Sequence, residues 1–199
     1  MSSLLLIKTS LFPDGASTQL AELFARRWRA AHPDGRVIER DLAADPVPHL
    51  DAERFAGFTT PADERTPEQQ QAVAYSDALI DELREADVLA LGLPMYNFGL
   101  PSTLKAYFDH IARAGVTFRY TEAGSQGLLG GRKVYVFAAR GGLYQANGSD
   151  TQTRYLQDFL GFLGLDDVTF VYAEGLKMGP DHRERALVAA REAIGALPV

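Results

Sequence analysis

Hydroxyl and glycine residues follow the first apolar segment of the chain and lead into a helical pattern. Ser10 ends that segment, and Gly15, Ala16 and Ser17 stand where the helix begins. Backbone N–H groups at a helix N-terminus, joined by serine hydroxyls, form a suitable site for a phosphate. Serine also caps many helices that bind nothing. The residues alone therefore leave a phosphate site and an ordinary helix cap both open.

Aromatic and amide side chains are concentrated between two prolines, Pro94 and Pro101. The residues between them that matter most are Met95, Tyr96, Asn97, Phe98 and Gly99. A backbone stiffened by proline can present N–H and C=O groups to the edge of a planar ring, while the aromatic side chains wall the ring. The alternative is a hydrophobic loop that only covers the core. Because Tyr-Asn-Phe is an unfavourable sequence for a plain connection, the pattern favours a ligand-binding loop.

A third candidate is the stretch Ala139, Arg140, Gly141 and Gly142, which follows another apolar segment. Paired glycines let a flat ligand approach the backbone closely. A simple turn explains the same residues equally well, so both interpretations stay open for this stretch.

Several other chemistries lack their residues. The chain has no cysteine, which excludes thiol nucleophiles, disulfides and Cys-ligated metal sites. No Gly-x-Gly dinucleotide fingerprint, no Walker A sequence and no Gly-x-Ser-x-Gly elbow occurs. The histidines are scattered without metal-ligand spacing, so no metal is expected, and His110 is expected to lie partly exposed on a helix. No side chain stands out as a general acid or base.

The segments between these stretches alternate between strand and helix patterns. Strands are predicted at Leu4–Lys8, Arg36–Arg40, Asp87–Leu93, Lys133–Ala138 and Val168–Ala173. Helices are predicted at about 17–31, from the capping signal Thr66-Pro67-Glu68-Gln69 onward, from about Pro101, at 151–163 and at 181–197. Nearly continuous apolar runs are typical of strands buried on both faces. The pattern predicts an open, doubly wound α/β fold with a five-stranded parallel sheet, its most polar strand (Arg36–Arg40) at an edge.

Two segments depart from this alternation. Residues 42–65 contain several prolines and are predicted to form a long ordered excursion. Residues 116–132 are predicted to form a strand pair, or flap, before the fourth strand. In an open α/β sheet, ligands bind beyond the carboxyl ends of the strands, so the three candidate loops are expected to meet at one edge.

Composition limits the classes of partner. The 199 residues are 46% hydrophobic and 23% charged, as expected for a single globular domain spanning 1–199. The net charge of −6 disfavours nucleic acid as a partner. No stretch approaches the roughly 20 apolar residues of a membrane span and no signal-peptide pattern occurs, so a cytoplasmic protein without a membrane partner is expected.

Three stretches together resemble one known family. They are Pro94–Phe98, the run from Ala112 to Glu122 (Ala-Arg-Ala-Gly-Val-Thr-Phe-Arg-Tyr-Thr-Glu), and Arg140-Gly141-Gly142. The sequence around them resembles the FMN-dependent NADH:quinone oxidoreductase and azoreductase family over essentially the whole chain. The resemblance implies a flavodoxin-like fold of strand order 2-1-3-4-5, non-covalent FMN, and a homodimer with active sites at its interface. It also implies NADH or NADPH as donor, with quinones or azo compounds as acceptors.

The resemblance also assigns residues. Phosphate contacts are carried over to Ser10, Gly15, Ala16 and Ser17. Ring contacts are carried over to Met95, Tyr96, Asn97, Phe98 and the turn Ala139, Arg140, Gly141 and Gly142. Tyr120, with Phe118 beside it, corresponds to the aromatic residue over the substrate site. The family usually has a further serine where this chain has Gly15 or Ala16, and often Ser or Thr at Ala139, so weaker FMN binding is expected.

The chemistry expected from this resemblance belongs to the flavin, since the protein supplies binding and orientation. Hydride from the nicotinamide and electrons to the acceptor would pass at one open face in turn, which predicts ping-pong kinetics. A flavodoxin-type electron carrier and a flavin-free interaction domain remain the alternatives, because a fold alone does not determine function.

Overall fold

The computed structural model describes residues 2–199, and apart from the helix Ala52–Thr59 the strands and helices alternate as the sequence predicts. The elements in chain order are β1 (Ser3–Lys8), α1 (Ala16–Ala31), β2 (Arg36–Asp41), α2 (Ala52–Thr59), α3 (Pro67–Glu85), β3 (Val88–Pro94), α4 (Ser102–Ile111), β4 (Phe118–Thr121), β5 (Gly124–Gly127), β6 (Lys133–Ala139), α5 (Thr151–Phe162), β7 (Asp167–Ala173) and α6 (Pro180–Ala196).

The main sheet is parallel and has the order β2-β1-β3-β6-β7. The predicted five parallel strands are confirmed, and the polar strand β2 lies at an edge. The strand numbering needs a correction, because β4 and β5 pair with each other in a separate antiparallel hairpin. The predicted order 2-1-3-4-5 therefore becomes 2-1-3-6-7 when every strand is counted.

Helices cover both faces of this sheet. On one face, α1 and α6 contribute Phe24, Trp28 and Ile194 to one apolar cluster. On the other face, α3, α4 and α5 contribute residues such as Leu79 and Phe108 to a second cluster. Complete burial of one such side chain stabilises the fold by about 1.5–3 kcal/mol. These two layers hold the strand ends, and hence the loops between strand and helix, in fixed positions.

The start of α3 confirms the strongest local signal in the sequence. Thr66 Oγ1 accepts a hydrogen bond from the Gln69 N–H at 3.2 Å, and Gln69 Oε1 accepts one from the Thr66 N–H at 3.2 Å. Pro67 occupies the first turn, where its missing N–H costs nothing. The predicted inner face is buried as well, at Val73, Ser76, Leu79, Ile80 and Leu83.

The segment 42–65 is ordered, but it contains a helix that the sequence analysis did not predict. Asp51 caps α2 by accepting the Arg54 N–H at 2.8 Å. Packing of this segment onto α4 also overturns the expectation for His110, whose side chain is fully buried. Its Nε2 lies 3.0 Å from the Pro48 carbonyl oxygen, and the Phe58 ring meets it edge-on.

The predicted flap at 116–132 forms the β4–β5 hairpin, and it packs at the far end of α5. The Leu129 N–H donates to the Leu163 carbonyl oxygen at 2.9 Å, and Gly127 lies directly against Gly164. Since α5 returns antiparallel to the strands, this places the hairpin at the amino ends of the parallel strands.

Within residues 2–199, none of the helices has the length and apolar character needed to cross a membrane. The same residues contain no group of three or more His, Asp or Glu side chains placed to hold a metal ion.

Candidate active site at the carboxyl edge of the sheet

The loop after β1 prepares the N-terminus of α1 for an anion. The first turn of α1 has no side-chain cap and no acidic residue. The N–H groups at the start of a helix have no partner within the helix, so those of Ala16 and Ser17 remain free to bind a ligand. The Ser17 hydroxyl is also without a partner among residues 2–199, although Ser17 is only 1% exposed. A buried hydroxyl without a partner calls for an explanation, and a bound phosphate supplies one.

Close packing explains why glycine begins this helix. A Cβ atom added at Gly15 would lie 2.2 Å from Ser10 Oγ and 3.0 Å from the Phe12 carbonyl oxygen. The same Ser10 Oγ accepts the Phe12 N–H at 3.2 Å, which curls the loop. A larger residue at Gly15 would therefore require Ser10 and the loop to move.

The stretch after β3 forms a tight hairpin whose turn residues have left-handed backbone conformations. The Tyr96 and Gly99 main chains pair, with the Gly99 N–H donating at 2.9 Å and the Tyr96 N–H at 3.3 Å. Between them, Asn97 has φ 49° and Phe98 has φ 62°. This conformation is common for asparagine but unfavourable for a bulky residue such as phenylalanine. Strain of this kind persists where the surrounding structure imposes it, and it is concentrated at ligand sites.

Hydrogen bonds connect this hairpin to both neighbouring loops. The Tyr96 hydroxyl accepts the Leu11 N–H at 3.1 Å, which joins the hairpin to the loop after β1. The Met95 N–H donates to the Ala139 carbonyl oxygen at 3.2 Å, which joins it to the turn after β6. The three loops that the sequence singled out therefore meet at one edge of the sheet.

The Arg140 side chain is buried inside the protein and is not exposed at the candidate site. Its fully buried guanidinium lies between Asp150, at 2.8 Å, and Glu174, at 3.1 Å. The main-chain N–H of Arg140 donates to the Ala173 carbonyl oxygen, and the Arg140 carbonyl oxygen accepts the Leu176 N–H. The side chain and the main chain of Arg140 thus hold the turn through contacts within the protein.

Charge pairing around Arg140 is strong enough to overcome burial at Asp150. Burial raises the pKa of the Asp150 carboxyl, but hydrogen bonds from Arg140 and Thr153 outweigh it and lower this pKa to about 2. The Asp150 carboxylate is therefore charged at neutral pH. This fixes the loop between β6 and α5.

The turn after β6 leaves two backbone donors at the site. The N–H groups of Gly141 and Gly142 have no acceptor among residues 2–199. The Tyr144 ring lies over Gly142, at 3.3 Å from where a Cβ would stand. It also meets Phe98 edge-on, with 5.7 Å between the ring centroids. An aromatic pair thus connects the turn with the hairpin.

A cavity of about 590 Å³ opens beside the hairpin. It lies between the loop after β1 and the start of α4, and its lining residues are Leu11, Met95, Tyr96, Asn97, Leu100, Pro101, Ser102 and Thr103. Its volume is in the range of small-molecule sites. The hairpin therefore borders a cavity of ligand size, while the start of α1 separately offers donors for an anion.

Phe118 and Tyr120, which are the predicted substrate residues, lie away from the three candidate loops. Phe118 is 7% exposed and packs in the core against Phe162, with ring centroids 4.2 Å apart. Tyr120 is 76% exposed and stands on Phe118. Both are near the C-terminal end of α5, and α5 is about 18 Å long. Within one chain, Phe118 and Tyr120 therefore lie at the opposite end of α5 from the candidate site.

Four residues that hold these loops in place carry no sequence signal for that role. They are Asp150, Thr151 and Gln152 at the start of α5, and Glu174 after β7. Asp150 before a helical pattern signals a cap, but nothing in the sequence shows which loop its neighbours reach.

Comparisons with known proteins agree with this geometry. A family model described as flavodoxin-like fold matches residues 2–197. A protein of Cellvibrio japonicus called FMN-dependent NADH:quinone oxidoreductase is 57% identical over 195 residues, which is 98% of this chain and 97% of that protein. One of Azotobacter vinelandii with the same description is 50% identical over 193 residues, covering 96% of this chain and 97% of that protein.

Solved structures extend the likeness to the fold. An azoreductase from Bacillus anthracis str. Sterne has a TM-score of 0.89 at 31% identity, covering 98% of this chain and 97% of that one. An FMN-dependent NADH-azoreductase from Bacillus anthracis str. Ames Ancestor, solved in complex with FMN, has a TM-score of 0.86 at 27% identity over 98% of each chain. The chain therefore belongs to the flavodoxin-like family that includes the FMN-dependent NADH:quinone oxidoreductases and azoreductases.

Proposed function

We propose that this protein is an FMN-dependent NADH:quinone oxidoreductase that also cleaves aromatic azo compounds. The observation that carries the proposal is that the three candidate loops meet at the carboxyl edge of the parallel sheet. The N-terminus of α1 has free N–H groups and the Ser17 hydroxyl without a partner, which together could bind an anion. It lies beside the hairpin after β3, whose positive φ values are of the kind found at ligand sites. The names of relatives at 57% and 50% identity supply the cofactor and the reaction. They favour an enzyme over an electron carrier or a flavin-free domain.

The residues present fit FMN. The Ser17 hydroxyl and the free N–H groups at the start of α1 would hold its phosphate, with Ser10 and Gly15 shaping the loop. Main-chain groups of Asn97 and Phe98 and the glycine N–H groups of the turn would meet the ring. Arg140 would act by holding that turn, and Ala139 by accepting the Met95 N–H.

Bound FMN supplies hydride acceptance and two-electron transfer, and the chain's own residues supply position. The hairpin and the turn after β6 would cover one ring face, which leaves a single open face. A nicotinamide and a quinone must each come within about 3–3.5 Å to react, so they bind in turn. We therefore expect ping-pong kinetics with NADH or NADPH as donor, with two donor molecules consumed for each azo bond cleaved to two amines.

One anaerobic experiment tests the reaction. NADH is added to the purified yellow protein while the flavin absorbance is followed, and a quinone is then added. Bleaching by NADH and recovery with quinone are expected, and NADPH in a parallel run gives the donor preference. Double-reciprocal plots against both substrates should give parallel lines. Released FAD, no flavin at all, or intersecting lines with a ternary complex would contradict the proposal.

A homodimer is part of the proposal, and the position of Tyr120 supports it. The ring is largely exposed, yet it lies at the far end of α5 from the site in its own chain. In a dimer with sites at its interface, the hairpin of one protomer could cover the acceptor site of its partner. Residues 1–199 would then act as one FMN-binding domain in each protomer. Because NADH is an intracellular reductant, a cytoplasmic location belongs to the same proposal.

A further inference from the structure

The start of α5 lies between the two loops that would receive the flavin ring. It follows the turn after β6 and faces the hairpin after β3. Its first residues contact both, although neither the sequence patterns nor the comparisons assign them a role.

Gln152 makes the central contacts on the hairpin side. Its side chain is fully buried, and Nε2 donates to the carbonyl oxygens of Pro94 and Gly99, each at 3.0 Å. These two carbonyls stand at the two ends of the hairpin. A single amide therefore fixes the entry and the exit of the strained turn, and the neighbouring Thr151 hydroxyl donates to the Phe98 carbonyl oxygen within it.

The same helix end fixes the other loop. Asp150 caps α5 by accepting the N–H groups of Gln152 and Thr153, each at 3.0 Å, and it binds the Arg140 guanidinium at 2.8 Å. Arg140 in turn holds Glu174, which accepts the Tyr144 N–H at 3.0 Å. The separation of the two loops is thereby set by consecutive residues of one helix.

The orientation of the Gln152 amide that makes these hydrogen bonds leaves its own oxygen unsatisfied. Gln152 Oε1 is buried and has no hydrogen-bond partner among residues 2–199. A buried acceptor without a partner destabilises the fold. The amide cannot be turned to relieve it, because its oxygen would then face two carbonyl oxygens.

We propose that Gln152 is a positioning residue that holds the hairpin 94–99 in the strained conformation needed to receive the flavin ring. Hydrogen bonds from Gln152 that hold the hairpin in this conformation would reduce the ordering cost of cofactor binding. This inference rests on the proposed function for its effect on FMN, but the hairpin conformation can be measured without the cofactor.

The test uses Gln152→Met, which keeps the side-chain length and removes the amide. Flavin-free and FMN-loaded proteins are compared by amide hydrogen exchange, FMN titration and flavin reduction potential. We expect exchange within 96–99 of the flavin-free protein to speed up by about tenfold, and the FMN dissociation constant to rise by about 5- to 50-fold. The reduction potential should shift as well. The exposed Thr151→Val is the second variant, and it should show smaller changes in the same direction even if Gln152→Met folds poorly.

The matched control is Gln69→Met, which removes a largely buried glutamine from the start of α3. It should lower thermal stability and leave hairpin exchange, FMN affinity and potential unchanged. Wild-type exchange and affinity in both Gln152→Met and Thr151→Val would overturn the inference. If the unaltered protein takes up no FMN, the proposed function fails instead, and hairpin exchange alone then decides the role of Gln152.

Discussion

At the scale of single residues, the site contains groups that are unfavourable until a ligand is present. The Ser17 hydroxyl is buried without a partner, and Phe98 has a positive φ. A donor left unsatisfied costs about 1–3 kcal/mol, so such groups lower the stability of the ligand-free protein. An anion bound at Ser17 would remove the cost of its unsatisfied hydroxyl, so substitution of this serine should change stability and affinity in opposite directions.

Ser17→Ala tests this opposition. The variant loses a hydrogen bond to a charged phosphate, so the FMN dissociation constant should rise by about 10- to 100-fold. The melting temperature of the flavin-free protein should stay the same or increase, since no partner is lost. Titration with FMN and thermal unfolding without it are the measurements.

Ser76→Ala provides the contrasting control. Its buried hydroxyl donates to the His110 carbonyl oxygen at 2.6 Å and accepts a hydrogen bond from Arg113 Nη1 at 3.2 Å. This variant should lower the stability of the flavin-free protein by about 1 kcal/mol and leave FMN affinity unchanged. If Ser17→Ala behaves like Ser76→Ala, the Ser17 hydroxyl is structural and the phosphate assignment is wrong.

At the scale of elements, the segment 42–65 and α4 are coupled through one buried histidine. Burial lowers the pKa of His110, and its hydrogen bond to the Pro48 carbonyl oxygen opposes this only in part. Its Nδ1 has no partner among residues 2–199. The neutral ring is therefore the form that the fold accepts.

The pH dependence of stability follows from that pKa. Because the folded pKa lies below the ordinary value of about 6.5, the unfolded chain binds the proton more readily than the folded chain. Stability should therefore fall as pH decreases from about 6.5 towards the folded pKa, by at most about 1.4 kcal/mol per pH unit for one proton. His110→Gln retains a donor for Pro48 and should lack this loss.

Chemical denaturation of both proteins between about pH 5 and pH 7.5 measures the difference. The two curves of unfolding free energy against pH should diverge as the solution becomes more acidic. Parallel curves would show that His110 titrates as it does in an unfolded chain, contrary to its burial.

At the scale of the whole molecule, the position of Tyr120 predicts that, in the proposed homodimer, this residue acts at the site of the other protomer. Two mixed dimers, purified with different tags on the two protomers, separate the possibilities. In the first, one protomer carries Tyr120→Ala and the other carries Gly15→Leu, which crowds Ser10 and removes FMN binding. In the second, both changes are in one protomer and the other is unaltered.

If Tyr120 acts on the partner's site, the first dimer keeps a wild-type KM for quinones. The second dimer should show a KM raised by about 2- to 12-fold, the loss expected from one aromatic contact. The reverse pattern would show that Tyr120 acts within its own chain. An unchanged KM in both dimers would mean that Tyr120 only packs on Phe118.

The sequence by itself indicated the strands and most of the helices, although not α2, and it singled out three candidate loops. Apolar runs and the signal at Thr66 predict strands and helix starts, because these depend on residues near one another in the chain. The loops at Ser10, at Tyr96 and after Ala139 were identified because parallel strands bring their carboxyl ends to one edge. Family resemblance then supplied the cofactor and the reaction.

Only the tertiary structure decided what those loops rest on. The burial of His110 beneath residues 48–58, the pairing of Arg140 with Asp150 and Glu174, and the bonds from Gln152 to the hairpin join residues far apart in sequence. The distance between Tyr120 and the candidate site of the same chain also depends on tertiary packing. Local patterns record which conformation a segment prefers, but these contacts depend on how helices pack across the sheet, and no short segment contains that information.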